Sequence, residues 1–128
     1  MNTAIICGSH RNGSQSAKVG NWLKKAIERS GHSASITDLS HSALPLWDEG
    51  VWAKDPKWVS IWNPIEDRLK AADSLVIISP EYAGMASPAI KNFFLFCGGP
   101  LVAHKPALLV AVSSGTGGSY PIQELRGS

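Results

Sequence analysis

The chain has 128 residues, 44% of them hydrophobic and 17% charged, with a formal net charge of +2; that is enough to bury one core and too little for two. Lysines and arginines are interspersed with acids along the chain, which argues against a nucleic-acid partner, and no apolar run reaches membrane-spanning length. Cys7 and Cys97 fall in apolar segments that support neither a disulfide framework nor a metal site, so one cytoplasmic domain over residues 1–128 is expected.

In chain order, residues 3–7 predict a first strand. Val19, Trp22, Leu23, Ala26 and Ile27 recur at helical spacing and predict a helix over 15–29, ended by Ser30-Gly31. Ser33 to Asp38 alternates as a second strand, and residues 39–56, with Pro45, Gly50 and Pro56, predict a long loop. Asn63-Pro64-Ile65-Glu66 has the order N-cap, N1 proline, N3 glutamate and marks a helix start, although Trp58, Ile61 and Trp62 extend the same apolar face earlier. That helix ends near Asp73. Leu75 to Ile78 predicts a third strand. Ser87 and Pro88 then open a helix that buries Ala89, Ile90, Phe93, Phe94 and Cys97 and stops at Gly98-Gly99-Pro100. Ala107 to Val112 predicts a fourth strand, and Gln123 to Arg126 the opening of a final helix.

Strands alternating with helices imply right-handed crossovers and an α/β, doubly wound, mostly parallel sheet. In such sheets ligands sit beyond the carboxyl ends of the strands. Three loops occupy that end: residues 8–16, 80–86 and 113–119. The first, Gly8-Ser9-His10-Arg11-Asn12-Gly13-Ser14-Gln15-Ser16, combines glycines for close backbone approach, hydroxyl donors, one guanidinium and a helix N-terminus, the set that holds a phosphate. An ordinary strand-to-helix turn with capping serines is the alternative. Ser14 and Gln15 stand where an ATP-binding loop needs lysine and a magnesium-binding hydroxyl, and no G-x-G-x-x-G is present, so a monophosphate suits the loop best. Pro80 to Met85 offers an aromatic ring and backbone amides to a flat heterocycle. Ser113 to Gly118 offers a flexible, hydroxyl-bearing wall.

These loops carry a resemblance to a family. Gly8-Ser9-His10-Arg11 with Ser14 and Ser16 resembles a G-S-x-R-x-x-S phosphate loop, Ser79-Pro80-Glu81-Tyr82 a P-E-Y-N loop, and Pro88 to Asn92 a P-G-x-L-K-N helix start. Leu44-Pro45-Leu46-Trp47 and the glycine-rich Ser113 to Arg126 match as well. Together they resemble the NADPH-dependent FMN reductases, flavodoxin-like proteins that include quinone, azo-dye and chromate reductases. The resemblance implies that Ser9, Arg11, Asn12, Gly13, Ser14 and Ser16 hold the FMN phosphate. It implies that Pro80, Glu81, Tyr82 and Ala83 lie against the flavin ring, with Ser113, Ser114 and Gly115 closing the far side. Ala83 stands where the family has asparagine, and Ala89 where it has glycine.

A flavodoxin-like sheet has five strands in the order 2-1-3-4-5, and only four are legible here; the expectation is a C-terminally incomplete chain lacking roughly 35 residues. No nucleophile elbow or placed carboxylate pair is present, so no side chain is assigned as catalytic and the cofactor is expected to carry the chemistry. The expected reaction passes hydride from NADPH, or NADH, to flavin N5 and then to a small acceptor such as a quinone, free flavin or azo compound. An FMN electron carrier without NADPH oxidation and a non-catalytic phospholigand-binding domain are the alternatives. Trp47, Trp52, Trp58 and Trp62 either pack the long loop on the core or build a homodimer or homotetramer interface.

Overall fold

The two uninterrupted apolar runs of the sequence lie side by side. In the computed structural model, which describes residues 1–115 and 117–128, β3 (Ser74–Pro80) pairs with β1 (Asn2–Cys7) on one side and β4 (Ala107–Val112) on the other, and β2 (Ser33–Asp38) pairs with β1. All pairs are parallel, in the order β2-β1-β3-β4. This is the flavodoxin-like arrangement without a fifth strand among the described residues. The central strands are buried on both faces, which is why Ile5, Ile6, Ile77 and Ile78 need no polar alternation. β4 is a sheet edge among the described residues, and Leu108 on it is 54% exposed.

Helix α1 (Gln15–Arg29) covers one face, packing Val19, Leu23 and Ile27 against Ile5, Cys7, Val76 and Ile78. The opposite face meets α2 (Pro56–Ala71), α3 (Pro88–Phe96), a single turn α4 (Gly99–Val102) and α5 (Ser119–Arg126). Ala4, Ile6, Leu75 and Ile77 bury there against Trp58, Trp62, Phe93, Phe96 and Leu125. Trp58 and Trp62 are therefore core residues, tilted or edge-on to Phe93 and Phe96 at centroid distances of 5.1–5.8 Å. No helix among the described residues is long and apolar enough to cross a membrane.

Of the two starts the sequence allows for helix α2, the structure takes the earlier: the helix begins at Pro56, where Asp55 accepts from the Lys57 amide as N-cap, and Asn63-Pro64 lies inside it. An interior proline costs about 3 kcal/mol because it removes one backbone donor and crowds the preceding turn. Burying two tryptophans ahead of it outweighs that, at about 25 cal/mol per Å² of apolar surface removed from water. Gly98-Gly99-Pro100 ends α3 as expected, but Pro100 also nucleates the turn α4. Helix α5 opens at Ser119, four residues before Gln123, with the left-handed Gly118 as its N-cap (φ +69°).

The long loop is held by named polar contacts. Asp48 Oδ1 accepts from Trp58 Nε1 at 2.8 Å and from the Gly50 amide at 2.8 Å. The Trp58 bond is the chief cause that holds the Asp48 carboxyl below its ordinary titration range, with Gly50 and Lys57 adding to it. A carboxylate lowered by folding stabilises the fold above its unfolded pKa and loses that contribution as pH falls through its folded pKa. Asp48→Ala is therefore expected to lower the melting temperature at neutral pH, with the gap closing in acid. A gap that stays constant from pH 7 to pH 3 in thermal melts would count against this role.

Asn92, buried on α3, fixes the Leu44–Trp47 segment through its amide. Its Oδ1 accepts from the Trp47 backbone N–H at 2.9 Å, and its Nδ2 donates to Pro45 O at 2.9 Å. The segment is thereby set beside the first loop, and a cavity of about 80 Å³ lies between His10, Leu39, Ala43, Leu44 and Ala89.

Candidate functional site

Parallel pairing puts Cys7, Ile78 and Val110 at one end of the sheet, and the three loops that follow β1, β3 and β4 converge there. Residues 8–14 make the first wall. Gly8 donates its amide to Ile78 O at 2.8 Å and accepts the Ser87 hydroxyl at its carbonyl, which ties the loop to the start of α3. Ser14 is the N-cap of α1, its Oγ accepting from the Ala17 amide at 3.0 Å. Arg11, Asn12 and Gly13 are exposed at the rim.

Two buried serines distinguish this loop from a plain turn. Ser9 shares a hydrogen bond of 2.9 Å with the Tyr82 hydroxyl, and its Oγ accepts from the Arg11 amide at 3.2 Å. Ser16 is 1% exposed and its hydroxyl has no partner among the described residues. A buried hydroxyl without a partner costs roughly 1–3 kcal/mol. Placed at the first turn of a helix, where backbone N–H groups also lack intrahelical acceptors, it is a donor set shaped for an anion.

The second wall is only partly what the sequence implies. The Glu81 amide is committed to Val112 O at 2.8 Å, continuing the β3–β4 ladder. Tyr82 and Met85 exchange backbone bonds of 3.0 and 2.9 Å across a tight turn, leaving Ala83 and Gly84 as the exposed tip. Both tip residues are left-handed, Ala83 at φ +50° and Gly84 at φ +73°. For alanine this conformation costs about 1–2 kcal/mol, whereas asparagine or glycine adopts it readily. Ala83→Gly is thus expected to stabilise the chain by about 0.5–1 kcal/mol, raising the melting temperature without loss of ligand binding. A lower melting temperature for that variant would show the turn to be unstrained.

Ser113 opens the third wall and joins it to the second by donating from its hydroxyl to Glu81 Oε1 at 2.8 Å. The other carboxylate oxygen of Glu81 is buried without a partner among the described residues. Ser113 also accepts from the Gly115 amide at 3.0 Å, and Ser114 and Gly115 are exposed. Thr116 lies outside the described residues. Eleven of the thirteen sequence-derived positions therefore fall on loops at one end of the sheet, with Ser16 in the first turn of α1 and Pro80 buried at the end of β3.

Sequence reasoning missed the residues that brace these loops. Glu124 on α5 accepts from the Ala86 amide at 2.8 Å and lies 3.6 Å from Lys91 Nζ, so it anchors the second loop from below. Ser79 Oγ accepts from the Ser87 amide at 3.1 Å. Only the α5 register and the β3–α3 approach bring these groups together, and no local motif signals them. His10 packs edge-on to Tyr82 with ring centroids 5.6 Å apart, which extends the aromatic contact between the first two loops. A larger cleft of about 670 Å³ opens between α2 and α4, lined by Trp58, Trp62, Phe96 and Leu101, but it contains none of the three loops.

The chain is 28% identical over 129 aligned positions to an NADPH azoreductase of Bacillus sp. (strain OY1-2), covering 100% of this chain and 68% of the relative. It is 26% identical to a quinone reductase of Pseudomonas putida, covering 91% of this chain and 62% of the relative. The chain thus spans about two thirds of the length of the curated relatives it matches. Among solved structures it superposes on FerB, a flavoenzyme NAD(P)H:(acceptor) oxidoreductase of Paracoccus denitrificans, with TM-score 0.78 and 26% identity over 98% of this chain and 69% of that one. The family model described as NADPH-dependent FMN reductase matches residues 1–127, and with the sheet order in place, the chain belongs to the NADPH-dependent FMN reductase family.

Proposed function

We propose that this chain binds FMN across the three loops and serves an NAD(P)H-dependent reduction of a small acceptor, with a quinone or an azo compound as the class favoured by the names of its relatives. The observation that carries the reading is the Ser16 hydroxyl, buried and unpartnered among the described residues at the first turn of α1. A phosphate would satisfy it. Family membership supports FMN as the phosphate's owner.

Each loop has a distinct task under this reading. Arg11 and the N-terminus of α1 neutralise the phosphate, while Ser9, Ser14, Ser16 and the amides about Asn12 and Gly13 donate to its oxygens. Pro80, Tyr82 and the exposed Ala83-Gly84 amides meet the ring, and Ser113, Ser114 and Gly115 close its other side. The Ser113–Glu81 bond holds the second and third loops at a fixed separation. FMN held there would supply the redox chemistry between NADPH or NADH and the acceptor. Preorganised amides at the ring edge favour the negative charge that reduction brings.

A homodimer or homotetramer is part of the same reading. Leu46 and Trp52 support it, being 83% and 75% exposed on a long loop whose other tryptophan, Trp47, is half-buried. Cytoplasmic residence is also part of it. An absorbance spectrum of the purified chain with added FMN, followed by anaerobic NADPH, tests the function. A flavin that binds and bleaches supports it, and a chain that leaves the FMN spectrum and its fluorescence unchanged would sink it.

A further inference from the structure

The sequence scatters its cations among acids, yet α1 gathers three of them on one ridge. Lys18, Trp22, Lys25 and Arg29 follow the spacing i, i+4, i+7, i+11, which places them within about 60° of one another around the helix and along roughly 16 Å of its length. All four are exposed, and the indole of Trp22 is 66% exposed at the centre of the row. No carboxylate shares the row. Glu28, the acidic residue of α1, lies to one side and is paired with Lys24. The opposite face of the helix, Val19, Leu23 and Ile27, is the one packed on the sheet, so the ridge points directly away from the core.

We propose that this ridge is a docking surface for an anionic phospholipid bilayer. The argument rests on charge complementarity and shape. An exposed tryptophan between long cationic side chains is the pattern that settles at a lipid headgroup layer, where the indole enters the interface and the ammonium and guanidinium groups reach the phosphates. The row is straight and stands on a convex face. It can meet a plane with all four residues at once. The ridge begins at Lys18, one turn beyond Ser14, and runs away from the loops along the helix. The three loops lie beyond the carboxyl ends of the strands, while the ridge runs along the flank of α1, so a chain lying on a bilayer keeps its loops open to solutes at the membrane surface.

Three cations and one indole predict weak, salt-sensitive attachment, measurable at millimolar lipid. The purified chain would be sedimented with vesicles of phosphatidylcholine containing 30% phosphatidylglycerol, with vesicles of phosphatidylcholine alone, and with single-stranded RNA and polyglutamate as competitors. The expected result is at least tenfold more binding to the anionic vesicles, reduced fivefold or more by 0.5 M NaCl. Lys25→Glu and Trp22→Ser, tested separately, are each expected to reduce vesicle binding at least fivefold while leaving circular dichroism and FMN titration unchanged. Equal binding to both vesicle types, retention by both variants, or displacement of the vesicles by equimolar RNA or polyglutamate overturns the proposal. Flavin binding is read separately, so failure at the membrane leaves the cofactor reading untouched, and the reverse holds too.

Discussion

Gly8→Ala is expected to remove FMN binding and to destabilise the fold by about 3 kcal/mol or more. A Cβ on Gly8 would sit 2.0 Å from Ile90 Cγ1 and 2.7 Å from the carbonyl oxygen of Ile78. Ile90 is fully buried, and the Ile78 oxygen already accepts the Gly8 amide, so neither can retreat without opening the β1–β3 junction. The added methyl would push the first loop away from α3 and break the Ser87 hydroxyl bond to the Gly8 carbonyl. Urea unfolding and the flavin absorbance retained per chain would read the two effects together. A Gly8→Ala protein with parental stability and full flavin would mean that the loop does not depend on this close approach.

Ser16→Ala and Arg11→Ala should weaken FMN binding without the loss of stability expected of Gly8→Ala, because they leave the packing intact. Removing the Ser16 hydroxyl deletes a buried group with no partner among the described residues, so the flavin-free chain is expected to gain about 1 kcal/mol of stability. The same change is expected to weaken FMN binding about tenfold, the value of one lost hydrogen bond to a charged oxygen. Arg11 is exposed, and its loss is expected to weaken FMN binding by about 10–100-fold at low salt and by less as salt is added. Isothermal titration with FMN, beside thermal melts of the flavin-free chain, separates stability from affinity. If Ser16→Ala destabilised the flavin-free chain and left FMN affinity alone, the hydroxyl would be structural and the phosphate site would have to be sought elsewhere.

Much of the candidate site was legible because its chemistry is local. Glycines, hydroxyls and Arg11 occur within nine consecutive positions after an apolar strand, and a strand followed by an N-capped helix dictates where such a loop must sit. The second loop was legible in kind but not in detail. Pro80-Glu81-Tyr82 announces a turn at the carboxyl end of β3, yet nothing in that string says that the Glu81 amide is taken by Val112 while Ala83, Gly84 and Met85 stay exposed. Register across the sheet decides that. The start of α2 was ambiguous because Asn63-Pro64 satisfies a local capping rule while Trp58, Ile61 and Trp62 extend the apolar face earlier, and burial of Trp58 and Trp62 decides for the earlier start.

What the chain's order of residues determined by itself was periodicity and punctuation. Apolar runs of strand length, helices at 3.6-residue spacing and Ser, Pro and Gly at their ends were sufficient for a parallel α/β sheet with three loops gathered at one end. The tertiary structure alone decided which polar groups were left over once packing was complete. Ser16 and Ser14 look equivalent in sequence, but folding spends the Ser14 oxygen on the helix cap and buries the Ser16 oxygen with no partner among the described residues. Likewise, Lys18, Lys25 and Arg29 are dispersed along the chain and become one cationic ridge only when α1 winds and turns its apolar side to the sheet. Hydrogen-bond satisfaction and the facing of a helix depend on contacts distant in sequence, which local pattern cannot encode.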